Sequence, residues 1–175
     1  DKALGVHPEA PIPDYHSDSG RKRVARGDKP GLEVRPTAET KGKVALFATC
    51  YMNRNEPGPG EDLAAVFAHN GIPVTLAEKE RCCGMPKLEL GDLESVREAK
   101  EVNIPVLAKL VDAGWDLTAL GPSCVLMFKQ ELPLMFPDDA DVQLVKTNIF
   151  DPFEYLVHRH KAGLLDTNFP VSLGK

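Results

Sequence analysis

An open α/β fold, three layers deep with a mainly parallel sheet between flanking helices, follows from two patterns in this sequence. Short apolar runs alternate with stretches of helical spacing three times between Lys43 and Glu131. Each run is followed within a few residues by cysteine: Cys50, the pair Cys82-Cys83, and Cys124. Repeated strand–loop–helix units pack as parallel strands joined by right-handed crossovers. In such a sheet the loops after successive strands open at the same edge. The fold class therefore predicts that four thiols far apart in the chain meet at the C-terminal edge of the strands, as a metal or redox site built by the fold.

Each element has its own justification. Residues 1–40 hold Pro8, Pro11, Pro13, Pro30 and Pro36 and a basic cluster, Arg21-Lys22-Arg23, without any apolar period. They read as an irregular connecting arm, with the basic cluster a solvated surface rather than a phosphate site. The α/β domain is expected over 41–161. Val44-Ala45-Leu46-Phe47-Ala48 is continuous apolar sequence, as a strand buried on both faces requires. Thr49-Cys50-Tyr51 ends it, and Pro57 to Gly60 is turn-rich. Apolar residues at 63, 66 and 67 predict a helix from Glu61, stopped at Asn70-Gly71. Ile72 to Leu76 is the second strand, with Pro73 near its start, where no ladder donor is lost. Gly84 and Pro86 are expected to make a tight loop at Cys82-Cys83 and to bar a helix there. Asp92 is placed as the N-cap of a long helix to about Ala113, with Pro105 kinking or dividing it. Trp115 to Leu120 is the third strand, and Cys124 to Glu131 a helix capped by Ser123. A fourth strand is expected at Val142–Val145 and a helix near Pro152–Lys161. Residues 162–175 read as a linker.

Bulk properties narrow the function. The 175 residues suffice for one domain with a real core plus a tail. A net charge of −5 argues against a nucleic-acid partner, which usually demands a basic face. No apolar run approaches the length of a membrane span, and no signal peptide is visible. The chain begins at Asp1 rather than Met, as expected of a piece of a longer protein. Four cysteines are too sparse for a disulfide scaffold, so metal or redox chemistry is the better reading.

Cys124 is expected at a helix N-terminus, where partial positive charge favours the thiolate, the ligand form for iron and zinc. Cys82 and Cys83 are neighbours, and in a relaxed strand their side chains diverge. A loop broken by Gly84 and Pro86 can turn both inward. A cluster with several irons tolerates adjacent ligands better than a single ion does, since each thiolate takes a different iron. This tilts the reading toward iron–sulfur, with a closed four-thiolate zinc site as the alternative.

These residues carry a family resemblance. Ala48-Thr49-Cys50-Tyr51, Glu80-Arg81-Cys82-Cys83-Gly84-Met85-Pro86, Gly91-Asp92, Gly121-Pro122-Ser123-Cys124 and Gln130-Glu131-Leu132-Pro133 resemble the cysteine-rich CCG domain family. That domain occurs in the B subunit of heterodisulfide reductase, the C subunit of anaerobic glycerol-3-phosphate dehydrogenase and the glycolate oxidase iron–sulfur subunit. The likeness covers roughly 40–136 and is nearest to a first CCG copy. It implies an iron–sulfur electron-transfer module of an oxidoreductase, with Cys50, Cys82, Cys83 and Cys124 ligating a cluster of the 4Fe–4S type. It also implies a dehydrogenase or other redox subunit as partner and a ferredoxin-like module of the same protein. A second CCG copy would lie beyond the linker. The implied location is cytoplasmic, with peripheral association at the inner face of a membrane through a partner as an extension. The sequence departs from the family at Cys124-Val125-Leu126-Met127, where methionine replaces the last motif cysteine. On a helix 124 and 127 share a face, so Met127 is a weak thioether candidate. The favoured reading is a core methionine filling the vacated space.

Two other functions compete. A degenerate copy holding zinc, or no metal, would be a docking domain of a larger redox complex. A thiol enzyme would work through a Cys82–Cys83 or Cys82–Cys124 couple, although the chain lacks a Cys-x-x-Cys motif. Weaker signals are structural by expectation. His158 and His160 lie in a charged surface stretch, Gly58-Pro59-Gly60 lacks a phosphate-loop lysine, and Asp138 to Asp141 is a solvated turn. Trp115 is expected to be core or a packing anchor.

Overall fold

The structure, a computed structural model, describes residues 31–78 and 81–168. Four parallel strands form one sheet in the order β2-β1-β3-β4: β1 (Val44–Phe47), β2 (Val74–Leu76), β3 (Asp116–Ala119) and β4 (Ile149–Phe150). All four residues of β1 are buried, as the continuous apolar run requires. Alternate side chains feed two cores on opposite faces. Ala45 and Phe47 join Leu117, Ala119 and Ile149 on one, and Val44 and Leu46 face Leu63, Phe67 and Tyr155 on the other. The three-layer α/β architecture expected from the sequence is the one observed.

Helices cover both faces. On the Leu46 side lie α1 (Cys50–Arg54), α2 (Gly58–His69) and α8 (Pro152–Lys161). On the Phe47 side lie α3 (Met85–Glu89), α4 (Leu93–Asp112), α5 (Pro122–Leu126) and α7 (Ala140–Asn148). A π-helical stretch, Met127–Glu131, continues α5 into the short α6 (Leu132–Met135). Phe128 in that stretch packs edge-to-face on Phe47, their centroids 5.0 Å apart, which ties it to the central strand.

Among the described residues, side-chain capping explains half of the α-helix starts. Asp92 accepts from Ser95 N–H at the start of α4, as expected from the sequence. Asp151 opens α8 in a capping box with Glu154. Pro105 neither divides nor ends α4, which runs unbroken from 93 to 112.

Several expectations need correction. Pro86 does not bar a helix after the double cysteine. It occupies the first turn of α3, where its missing N–H is one of the donors a helix start leaves unpaired anyway. Gly58-Pro59-Gly60 is likewise the first turn of α2 rather than a loop. Gly121, not Ser123, stands at the cap of α5. The segment expected as a fourth strand, Val142–Val145, lies inside α7, capped by the Asp139 carboxylate. Its two valines are buried at i and i+3, a helical spacing. The fourth strand is the two-residue β4 that follows. The prolines up to Pro30 and the Arg21-Lys22-Arg23 cluster lie outside the described residues, as do Glu80 and 169–175.

Candidate metal centre

The four thiols come together at the C-terminal edge of the sheet. Cys50 is the first residue of α1, directly after the Thr49 N-cap, whose hydroxyl accepts from Met52 N–H at 3.1 Å. Cys82 and Cys83 lie between β2 and α3, and Cys124 in the first turn of α5. Because β1 stands between β2 and β3, the loop that carries Cys50 lies between the other two. All four cysteines are reduced thiols and line one cavity of about 530 Å³. Cys50 and Cys82 are exposed at it, and Cys83 and Cys124 are buried.

The sulfurs form a hydrogen-bonded series. Cys50 bonds to Cys82, Cys82 to Cys83, and Cys83 to Cys124. Backbone amides also donate to three of them: Tyr51 to Cys50, Gly84 to Cys82 and Met85 to Cys83. The electrostatic result is uneven. The Cys50 thiol, first of all, and then the Cys83 thiol and the Gly84 amide hold Cys82 down to about 2, despite the opposing effect of burial. The bond to Cys82, aided by burial, pushes Cys50 up. Its bonds to Cys124 and Cys82, with burial, push Cys83 up. The series thus favours charge on Cys82 over Cys50 and Cys83.

Local backbone explains how neighbouring cysteines both turn inward. Gly84 has φ +98°, a conformation side-chain-bearing residues rarely adopt. The reversal brings the Gly84 and Met85 amides back onto Cys82 and Cys83. Space is not the constraint at Gly84, since a Cβ there would stand 3.6 Å from Met127 Cε, an ordinary contact. At Gly121 the constraint is space: a Cβ would sit 3.3 Å from Cys124 Sγ and 3.4 Å from Thr49 Cγ2.

Sequence reasoning missed Asn103. It is 1% exposed in the middle of α4. Its carboxamide accepts from Arg81 N–H at 2.8 Å and donates to the carbonyls of Arg81 and Cys82 at 3.3 and 3.2 Å. One buried side chain thereby clamps the backbone entering the double cysteine. A lone asparagine among the apolar positions of a helix was the available signal.

Met127 is 0% exposed and packs in the core with Phe128. It lies behind Gly84 and is not among the residues that line the cavity. Apart from the thiols and the side chains of Thr49, Tyr51, Glu56 and Ser123, the lining is apolar or backbone, including Met52, Pro59, Leu120 and Pro122. Tyr51, 62% exposed, stands at the rim. Among the described residues no three His, Cys, Asp or Glu side chains gather about one point closely enough to hold a metal ion as they stand. The thiols are strung out as a series, an arrangement that suits several metal atoms better than one.

A parallel α/β domain that collects thiols from three successive strand ends defines a cysteine-rich metal or redox module. Residues 44–129 match the family model of the CCG cysteine-rich domain. The chain is 32% identical over 97 residues to the C subunit of anaerobic glycerol-3-phosphate dehydrogenase of Escherichia coli (strain K12), covering 55% of this chain and 24% of that protein. It is 32% identical over 119 residues to lactate utilization protein A of Bacillus cytotoxicus, covering 66% of this chain and 48% of the relative. For lactate utilization protein A of Bacillus thuringiensis the identity is 34% over 97 residues, 55% of this chain and 38% of the relative. The matched region thus spans between about a quarter and a half of the length of these relatives. No solved structure matches the chain. Among the described residues, no helix is long and apolar enough to cross a membrane.

Proposed function

We propose that this chain is an electron-transfer module of an oxidoreductase, in which Cys50, Cys82, Cys83 and Cys124 hold an iron–sulfur cluster of the 4Fe–4S type. The observation that carries the reading is the convergence of four reduced thiols on one largely apolar cavity, with backbone amides aimed at three of the sulfurs. Such a cluster, when bound, supplies one-electron transfer at a potential set by hydrogen bonds to sulfur, burial and net charge. The chain contributes each of those settings. The Tyr51, Gly84 and Met85 amides stabilise charge on sulfur, and the apolar lining limits water. The CCG family and the dehydrogenase component among its relatives support the redox assignment.

Met127 acts here as packing behind the Cys83-Gly84 turn, not as a ligand. The organic chemistry belongs to a dehydrogenase or other redox subunit, with a ferredoxin-like module of the same protein relaying electrons. The complex works in the cytoplasm, peripheral to the inner face of a membrane where a membrane partner takes part. Residues 1–40 serve as the connecting arm and 162–175 as a linker toward a second CCG copy.

The test is iron, zinc and acid-labile sulfide per chain after anaerobic purification. Iron and sulfide in similar amounts, with broad visible absorption, are expected. Cys83→Ser should lose most of the iron and Met127→Ala little. Equal iron in Cys83→Ser and the parent would overturn the ligand assignment, and zinc alone, or no metal, would overturn the reading in favour of a structural zinc or metal-free docking domain.

A further inference from the structure

The same four thiols divide into an outer and an inner pair. Cys50 and Cys82 are exposed, hydrogen-bonded to each other, and carried by loops that leave adjacent strands. Cys83 and Cys124 are buried and hydrogen-bonded to each other. We propose that, in the metal-free chain, Cys50 and Cys82 form a reversible disulfide under an oxidant of the peroxide class, leaving Cys83 and Cys124 reduced. The pair belongs to the site of the proposed function, but its closure requires no metal binding.

The chemistry balances with peroxide as the sole co-reactant. The exposed Cys82 sulfur attacks hydrogen peroxide, the O–O bond breaks, one oxygen departs as water, and Cys82 becomes a sulfenic acid. The Cys50 sulfur then attacks the Cys82 sulfur. An S–S bond forms, the S–O bond breaks, and the leaving hydroxyl takes the Cys50 proton as a second water. Two thiols and one peroxide give one disulfide and two waters.

Geometry selects the pair. Cys83 is next to Cys82 in sequence, but a bond between adjacent cysteines strains the peptide link, and Cys83 is buried and engaged with Cys124. Cys124 is buried on the far side of Cys83 in the series. Cys50 is the exposed thiol already in hydrogen-bond contact with Cys82. Closing this pair occupies both outer sulfurs and blocks metal loading until a thiol reductant reopens it.

The experiment uses the whole 175-residue chain, chelated, reduced, freed of reductant and exposed to an equimolar amount of hydrogen peroxide. Free thiols are then alkylated and the peptides mapped by mass spectrometry. A Cys50–Cys82 cross-link with Cys83 and Cys124 alkylated is expected, and dithiothreitol should return all four thiols. A dominant Cys82–Cys83 or Cys83–Cys124 link, or a Cys82 sulfinic acid without any link, overturns the proposal. Cys50→Ser should instead accumulate a Cys82 sulfenic acid that dimedone traps. A disulfide forming in Cys50→Ser as fast as in the parent counts against it. Iron uptake by the reduced parent, measured separately, tests the cluster, so failure of one reading leaves the other standing.

Discussion

A buried carboxamide in the middle of a helix must repay its desolvation, and Asn103 does so on the backbone of Arg81 and Cys82. The bonds fix the chain where it enters the double cysteine. Gly84 then reverses it so that both sulfurs face the cavity. Asn103 is therefore a positioning residue for the thiols. Asn103→Leu leaves one amide and two carbonyls without their partner, and should destabilise the fold by about 2 kcal/mol in urea unfolding. Lost stability alone does not establish positioning. The distinguishing readout is the reduction potential of the iron-loaded protein, or the rate at which Cys82 reacts with an aromatic disulfide reagent in the metal-free one. Both should shift in Asn103→Leu under conditions where the variant is fully folded. An unchanged potential and an unchanged thiol rate would reduce Asn103 to a packing role.

Helix α7 shows the same economy one level up, an ion pair at its cap adding to the burial of Val142 and Val145. Asp139 caps it and also receives Lys100 of α4, whose side chain is 10% exposed and lies over the Phe136 ring. The Lys100 hydrogen bond, above all, holds the Asp139 carboxyl below its ordinary value. Burial acts against the Lys100 charge, but the bonds from Asp139 and Glu101 prevail and raise its pKa. A carboxyl whose folded pKa lies below its unfolded value contributes stability above the unfolded pKa, near 3.8, and loses it as pH falls through the folded one. Asp139→Asn keeps the cap but removes the charge. It should lower stability by about 1–2 kcal/mol at pH 7, and the gap to the parent should shrink toward zero in acid, as pH falls through the folded pKa of Asp139. Urea melts under the two conditions decide it, and a gap independent of pH would exclude the ion pair as its source. This element also shows why part of the fold was illegible in the sequence. The β-branched valines at 142 and 145 suggested a strand, while the decisive Asp139 cap looked like one more acid in a solvated turn. β4, at two residues, is too short to leave a pattern. β1, by contrast, was plain, because burial on both faces leaves no polar position to obscure the run. At the site, the four cysteines were legible because the residue type carries the chemistry. Asn103 was not, because its role depends on which backbone the fold brings beside it.

At the scale of the whole molecule the sheet has two polar ends with different tasks. Thiols gather where the strands finish, and a charged network closes the end where they begin. There Asp116, the first residue of β3, accepts from the Lys41 and Gly42 amides. Arg159 of α8 is 0% exposed and donates from Nη1 to the Arg35 carbonyl and to Thr40 Oγ1. The Tyr155 hydroxyl faces Asp116 and Thr40 without a well-formed hydrogen bond. Arg159 Nε and Nη2 likewise have no hydrogen-bond partner among the described residues. The charged stretch from His158 to Lys161, whose histidines were expected at the surface, sends its arginine into the interior. Segment 35–42 is pinned there against α8 and β3. Burial holds Asp116 above the ordinary carboxyl range, against the Lys41 and Gly42 amides and the Lys41 charge, and burial likewise holds Arg159 below its usual value, with Asp116 a minor opposing charge. Arg159→Met leaves the Arg35 carbonyl and Thr40 Oγ1 without their donor and should destabilise the chain by about 2 kcal/mol. A double-mutant cycle with Asp116→Asn measures directly how much of that loss is charge coupling between the two residues. The sign with pH follows from the raised Asp116 value. Stability associated with the neutral Asp116 carboxyl is lost as pH rises through its folded pKa. Because the network and the thiols occupy opposite ends of the sheet, folded Arg159→Met should bind the same iron per chain as the parent. Strictly additive effects of the two substitutions would mean that Arg159 and Asp116 are buried independently, and the pinning of 35–42 would then rest on its backbone bonds alone.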